Sequence, residues 1–548
     1  MKNKLILALV LLNSLLVNAQ SFQLLKDITP GNWYGSSNLQ SEFYEHNSKV
    51  YFNLSNGTIM GLYVTDGTDA GTTLLSTTAT TPGGYVLLNN KVFFAASDAT
   101  NGFELWSTDG TAAGTQLFKD FNSGTGSGVY ASSIYGVVNN KLIFWANDGT
   151  ATKLWVTDGT LAGTSILNND AISAGYTPHP DDNHIHNNKM YFFAGSGSLG
   201  NEIWVSDGTS TGTYMIKNIN TNAGGSSVLT SSETIKIVAL NNKMYFSATA
   251  SNAAVSSELW ETDGTDAGTK LAVDIRPGGI GSRINDMIVF NNKIYLVADR
   301  LGISGPKLNL ISTDGTDAGT NVLDTVFDAN LPEFYKMKIY NNELYMRVDH
   351  PSLGTQLFKL NNNNEVVCVK AIGAGLNAGR YTNFEIYDNK LWFIGSQTAG
   401  YTYIWNTDGT EAGTTQVTPV NALEYFGGFR NNLKSTSIGL FTLGFTAAYG
   451  AEVWVYKSGG SSNILSQNKT NTFSVYPNPS SDIINIKIEN PTNENLKIKV
   501  LNTLSQVILN DTFSSDNFTF STQNMNKGIY YIQIENKDNI TTQKIIIK

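Results

Sequence analysis

Seven copies of the phrase Asp-Gly-Thr-x-x-Gly-Thr begin at Asp66, Asp109, Asp158, Asp207, Asp263, Asp314 and Asp408. Consecutive copies lie 43 to 56 residues apart, except for one gap of 94. A phrase met once marks a site, whereas a phrase met at a steady interval marks architecture. The wide gap holds a worn copy, "GTQLFKLNNNN" from Gly354, and "AEVWVYKSGG" from Ala451 is another. A second phrase keeps the same interval: "NSKVYF" at 47, "NNKVFF" at 89, "NNKMYF" at 187 and 241, "DNKLWF" at 388 and a worn "NNLKSTSIGLF" at 431. Together they mark nine units of roughly 48 residues, a period that belongs to propellers and solenoids.

The pattern inside one unit separates these two. "VLLNNKVFFAAS" reads as two strands joined by Asn-Asn, a pair that tolerates positive φ. "FELWSTDG" is a third strand and "TQLFKDF" a fourth. Four short antiparallel strands per unit make a propeller blade. In the third strand an aliphatic residue precedes an aromatic one in most units, as in Leu105-Trp106, Ile203-Trp204 and Leu259-Trp260. Neighbouring strand residues point to opposite faces, so both faces of each sheet are apolar and both must be covered. The last unit lacks its fourth strand, and "SFQLLKDITPG" from Ser21 matches that missing element. The expected fold is therefore an all-β propeller of eight or nine blades, closed by the N-terminal strand, because closure removes free sheet edges.

Asp-Gly-Thr-x-x-Gly-Thr joins strands three and four. Asp accepts N–H bonds from the residues ahead of it, and Gly supplies backbone conformations that other residues avoid. The seven aspartates are therefore read as structural turns. The rival is a set of calcium sites, although an oxygen cage needs several ligands close together and each turn offers one carboxylate. At these residues the chain resembles the ELWxxDGT-repeat family of secreted bacterial proteins, from Ser21 to about Tyr456. That resemblance implies secretion and carries no particular activity.

The N-terminus, "MKNKLILALVLLNSLLVNAQS", has a basic end, an apolar run and a small residue at Ala19, which reads as a signal peptide over 1–19. No cysteine follows the expected cut, so a lipid anchor is not expected there, and no later stretch could span a bilayer. Cys368 is the only cysteine, so no intrachain disulfide forms. It sits in an alternating run and is read as an inert core residue. The repeat region spans 20–456, a Gly/Ser/Asn linker 457–471 and a small β-sandwich 472–548. The last segment resembles the type A C-terminal sorting domain of the type IX secretion system of Bacteroidetes. The residues that carry this are "YPNPSSDIINI" with Tyr476, Pro477, Asn478 and Pro479, then "VLNTLSQVI", "GIYYIQI" from Gly528, and "KIIIK" from Lys544 to Lys548. The resemblance implies the type IX machinery as partner, and an extracellular or outer-membrane-surface address.

The net charge is −9 with no basic run, which argues against nucleic acid as partner. There is no phosphate loop, zinc pattern or nucleophile elbow. Glu104, Glu202, Glu258 and Glu452 recur in one slot and are read as structural. One stretch is not repetitive, "YTPHPDDNHIHNNKMYFF" from Tyr176. His179, His184, His186, Asp181 and Asp182 in it are candidate ligand-binding residues, and the histidines candidate metal ligands. The alternative is that His184 and His186 are packed residues in slots that other units fill with apolar side chains. Trp33 and Tyr34 lie in a loop between units and could stack on sugar rings. The function expected is a surface or secreted module that binds a glycan or a surface protein, with no cofactor evident. The alternatives are a polysaccharide-acting hydrolase or lyase centred near His184, and a rigid spacer.

Overall fold

The computed structural model describes residues 22–458 and 473–547 apart from internal stretches, the longest being 29–41, 171–182, 228–235, 251–256, 300–306, 329–335, 373–383, 418–432 and 489–495. The chain divides into two compact units, Met1–Gly459 and Gly460–Lys548.

The first unit is built from repeats of one antiparallel sheet. Six four-stranded sheets run in simple sequence order. The fifth repeat shows the pattern: Ile237–Leu240, Lys243–Ala248, Glu258–Thr262 and Lys270–Val273. A seven-stranded sheet holds the first two repeats, fused because Thr73–Leu88 serves as the fourth strand of one and the first strand of the next. In the remaining sheet Gln23–Leu24 pairs with Gly450–Tyr456, in the register Gln23 to Val455 and Leu24 to Trp454. The N-terminal strand thus supplies the element that the ninth repeat lacks.

Local chemistry explains why the strands turn where they do. The Asn-Asn pairs at 89–90, 139–140, 187–188, 241–242, 291–292 and 341–342 all have φ between 46° and 62°. Positive φ at both central residues is the requirement of a tight hairpin turn whose twist matches the flanking strands. The ninth repeat departs from the expected phrase: its first hairpin joins Lys434–Thr436 to Gly439–Thr446, so its turn is Ser437-Ile438 rather than Asn431-Asn432. In the seventh repeat Asn361 to Glu365 replace the Asp-Gly-Thr turn, with Asn364 at φ 61°. Cys368 follows in Val366–Lys370, half-buried against an apolar cluster, and burial raises its thiol pKa.

The core lies between sheets. Leu259 packs towards the sixth repeat, with Ile294 and Leu296, while Trp260 packs towards the fourth, with Phe193 and Ile203. Nine clusters of this kind each join two consecutive repeats among the described residues. One of them joins Phe441, Val453 and Val455 of the last repeat to Val50 and Phe52 of the first. First strands of several successive repeats also contact one another.

The second unit is a separate two-sheet sandwich. A three-stranded sheet, Phe473–Tyr476, Ile483–Ile488 and Asn517–Ser521, faces a four-stranded one, Val507–Phe513, Leu496–Asn502, Gly528–Glu535 and Ile540–Ile547. Ile484, Ile486, Ile498, Val500, Ile532 and Ile545 alternate inward and fill its core.

Candidate functional site

In the repeats built from one continuous stretch of chain, the turns between strands one and two and between strands three and four share one end of the sheet. The other end carries the turn between strands two and three and the loop to the next repeat. The two ends differ in chemistry.

At the first end every Asp-Gly-Thr turn carries the same internal hydrogen bonds. In the fifth repeat Asp263 Oδ1 accepts from the Thr265 N–H at 2.9 Å and from its hydroxyl at 2.7 Å. Gly264 N donates to Thr262 Oγ1, and Thr269 Oγ1 donates to the Thr265 carbonyl. With its own proton so used, Thr269 must accept from Thr262 across their 2.6 Å contact. The same bonds to the aspartate recur at Asp66, Asp109, Asp158, Asp207, Asp314 and Asp408. The threonine hydroxyl is the main cause that holds each of these carboxyl pKa values below the ordinary range. Gly268 completes the turn: a Cβ there would meet Asp263 Oδ1 at 2.1 Å. Gly268→Ala will therefore push the aspartate off its threonine and cost about 2 kcal/mol. The urea midpoint reads this out, and an unchanged midpoint would contradict it.

Carbonyls of several of these turns are held by the preceding repeat. Lys26 Nζ donates to the Thr72 carbonyl at 3.0 Å, Lys217 to Asp266, Lys370 to Thr414 and Lys457 to Gly67. Asn89 and Asn139 do the same for Asp158 and Asp207. The lysines that close "LLK" at 26, "MIK" at 217 and "CVK" at 370 are visible in the sequence. Their targets in the next repeat are not, because those contacts are non-local.

At the other end the recurrent glutamates tie the outgoing chain down. Glu104, Glu202, Glu258 and Glu452 are all buried to 1% exposure or less. Three of them accept backbone N–H groups 17 and 18 residues ahead: Phe121 and Asn122 for Glu104, Ile219 and Asn220 for Glu202, Ile275 and Arg276 for Glu258, which also accepts from Ser282, 24 residues ahead. Glu452 accepts instead from Ile28 at 3.0 Å, at the start of the chain. Burial pushes the carboxyl pKa of Glu104 and Glu202 up to about 7 and that of Glu258 up to about 8, against the opposing pull of the N–H groups. Gln356 fills the slot in the seventh repeat and accepts from Ile372 N at 2.9 Å. A buried polar group without such partners would be costly, which accounts for the recurrence.

His184 and His186 lie on His184–His186, the first strand of the fourth repeat, opposite Tyr191 and Lys189. Their rings are 6.4 Å apart, and His186 Nε2 is 3.4 Å from Asn242 Oδ1. Burial lowers the His184 pKa, with His186 as the second cause. Ile185 between them is 45% exposed, and Leu87 and Ile386, at the same register in other repeats, are 37% and 39% exposed. His179, Asp181, Asp182, Trp33 and Tyr34 lie outside the described residues. Among the described residues no group of three or more His, Cys, Asp or Glu side chains gathers as a metal site. Trp392, by contrast, is fully buried and donates its indole N–H to the Tyr387 carbonyl at 2.8 Å.

In the C-terminal unit Tyr476 ends the strand Phe473–Tyr476, Gly528 begins Gly528–Glu535, and Lys544 lies on Ile540–Ile547. Ser480 forms a parallel bridge to Ile547 on that last strand. Pro477, Asn478, Pro479 and Lys548 are outside the described residues. Residues 474–548 match the family model described as "Secretion system C-terminal sorting domain". The C-terminal module is a type IX secretion sorting domain. A sorting domain marks the chain for export to the cell surface or the extracellular space, and implies contact with the type IX machinery. No helix among the described residues is long and apolar enough to cross a membrane.

Among curated proteins none matches the chain. Of solved structures, the chain is similar to PorZ, a surface component of the type IX secretion system of Porphyromonas gingivalis. Identity is 14% over 92% of this chain and 75% of that one, with a TM-score of 0.33. It is also similar to a puromycin hydrolase, at 12% identity over 66% of this chain and 57% of that one, TM-score 0.35. A third is TolB from Acinetobacter baumannii, at 11% identity over 60% of this chain and 77% of that one, TM-score 0.24. Likenesses this distant carry nothing about activity.

Proposed function

We propose that the first unit is a closed nine-bladed β-propeller of the ELWxxDGT-repeat type, carried to the cell surface or medium by the sorting domain, where it binds a glycan or a surface protein. An N-terminal signal peptide over 1–19 would start that route. The observation that carries the binding reading is the difference between the two ends of the sheets. One end is repeated, and its Asp-Gly-Thr turns are tied internally and, in several repeats, to the preceding repeat. The other end carries loops of unrelated sequence, among them "NSGTGSGVYASS" and "RPGGIGSR". Variable loops displayed on a rigid scaffold are where recognition is built. The strand His184–His186 has an exposed apolar residue between two histidines, a lining that suits contact rather than acid–base work.

Native electrophoresis of the full chain, through gels cast with single polysaccharides, tests this. Retarded migration in one gel is the expected result. A cleared track after staining for polymer would replace binding by cleavage. Unchanged mobility in every gel would remove glycans and leave a protein ligand.

A further inference from the structure

The chain has six arginines, and two of them, Arg276 and Arg283, fall between the fifth and sixth repeats. Other repeats show what the scaffold needs at this junction. Arg276 follows the residue tied to the recurrent glutamate, a slot that holds Asn122 and Asn220 elsewhere. Those asparagines close their own loop, donating to the carbonyls of Ser127 and Ser226 at 3.3 and 2.9 Å. Asp299, whose N–H donates to the Ser282 carbonyl, stands where Asn147 and Thr249 make the same backbone bond. One junction has therefore exchanged neutral loop-closing groups for charged ones while the backbone pattern stayed the same.

The charges converge. Asp299 Oδ2 accepts from Arg276 Nη1 at 2.5 Å and from Arg283 Nη2 at 3.1 Å. Asp299 is 2% exposed, and its Oδ1 has no partner among the described residues. One carboxylate oxygen therefore serves two guanidiniums, each of which has five donors. Arg283 keeps its side chain 47% exposed, and its backbone sits at φ 45°, a conformation sparsely used by residues other than glycine. Observed strain of this sort is a pointer to function. A scaffold that needed only to hold its loop would have used asparagine, as two other junctions do.

We infer that Arg276 and Arg283 form an oxyanion-binding site at the loop end of the sheets, specific for the charged groups of an acidic polysaccharide. The guanidinium fork matches a carboxylate or a sulfate through paired N–H bonds. Asp299 holds both forks in place and completes the site from beneath. The inference rests on the binding-module reading and names its ligand class.

The test runs the full chain through native gels cast with polygalacturonate, dextran sulfate or neutral dextran. Retardation in polygalacturonate or dextran sulfate but not in dextran is expected, and the two charged polymers distinguish a carboxylate from a sulfate ligand. Arg283→Gln, at a half-exposed position, will weaken that binding at least about tenfold while leaving the melting temperature unchanged. Asp299→Asn keeps an acceptor for the arginines but removes the competing charge, so its binding will strengthen. A merely structural cluster would not give these opposite signs. Retardation by dextran alone would overturn the oxyanion site and leave the binding reading standing. Equal retardation of wild type and Arg283→Gln would also overturn it. No retardation in any gel would remove both the site and the glycan reading.

Discussion

Deleting residues 22–28 will destabilise the first unit by at least about 5 kcal/mol and turn Gly450–Tyr456 into an open edge. Four contributions act together. Phe22 and Leu25 are 5% and 3% exposed, and each buried large apolar side chain contributes about 1.5–3 kcal/mol. Gln23–Leu24 pairs with the last full strand of the unit. Lys26 reaches the Thr72 carbonyl in the first repeat, and Ile28 N–H satisfies buried Glu452. The deletion therefore breaks the sheet and also the junction between last and first repeats. Urea unfolding of the full chain, followed by the fluorescence of the buried tryptophans, measures the loss. Added peptide covering residues 20–30 will restore stability in trans, since an extended segment can complete an exposed edge. A deletion variant with an unchanged midpoint would show that the N-terminal strand closes nothing.

The second large effect belongs to the glutamate slot. Glu258→Ala leaves the N–H groups of Ile275, Arg276 and Ser282 without their acceptor, at a cost of about 3 kcal/mol. Glu258→Gln keeps an acceptor in the same place and will be far milder, since Gln356 does the same work in the seventh repeat. The pH dependence follows from the raised pKa values. Folding lifts the carboxyl pKa of Glu104 and Glu202 to about 7 and that of Glu258 to about 8, each from a usual 4.5. The folded state then holds these protons where the unfolded chain has lost them. Their contribution is complete below pH 4.5 and declines as pH rises through 7 to 8, with a slope of at most about 1.4 kcal/mol per pH unit for each residue. Melting temperature measured from pH 5 to 8.5 will fall, and Glu258→Gln will flatten its share of the fall. A wild-type profile that rises over this range would contradict the assignment.

Much of the fold is legible in the chain itself. The Asn-Asn turns follow from φ requirements, and the paired apolar slots of strand three require sheets covered on both faces. The worn repeats are harder to read. Ser437-Ile438 turns where no Asn-Asn pair does: Thr436 Oγ1 donates to the Gly439 carbonyl, and the Ser437 N–H donates to the Glu45 carboxylate of the first repeat. The fusion of two repeats through Thr73–Leu88 leaves no mark in the repeat phrases; within that strand Gly84 N–H donates to Glu42, 42 residues earlier.

By itself the sequence determined the repeat, the strand alternation, the N-terminal match to a missing strand and the sorting module, because each depends on residues close along the chain. Only the tertiary structure decided which repeat holds each Asp-Gly-Thr turn, why the glutamates recur, and that Arg276 and Arg283 meet on Asp299. Those contacts link residues from 16 to 424 positions apart. No local pattern records them, since a side chain's partner is set by how sheets stack rather than by what stands next to it.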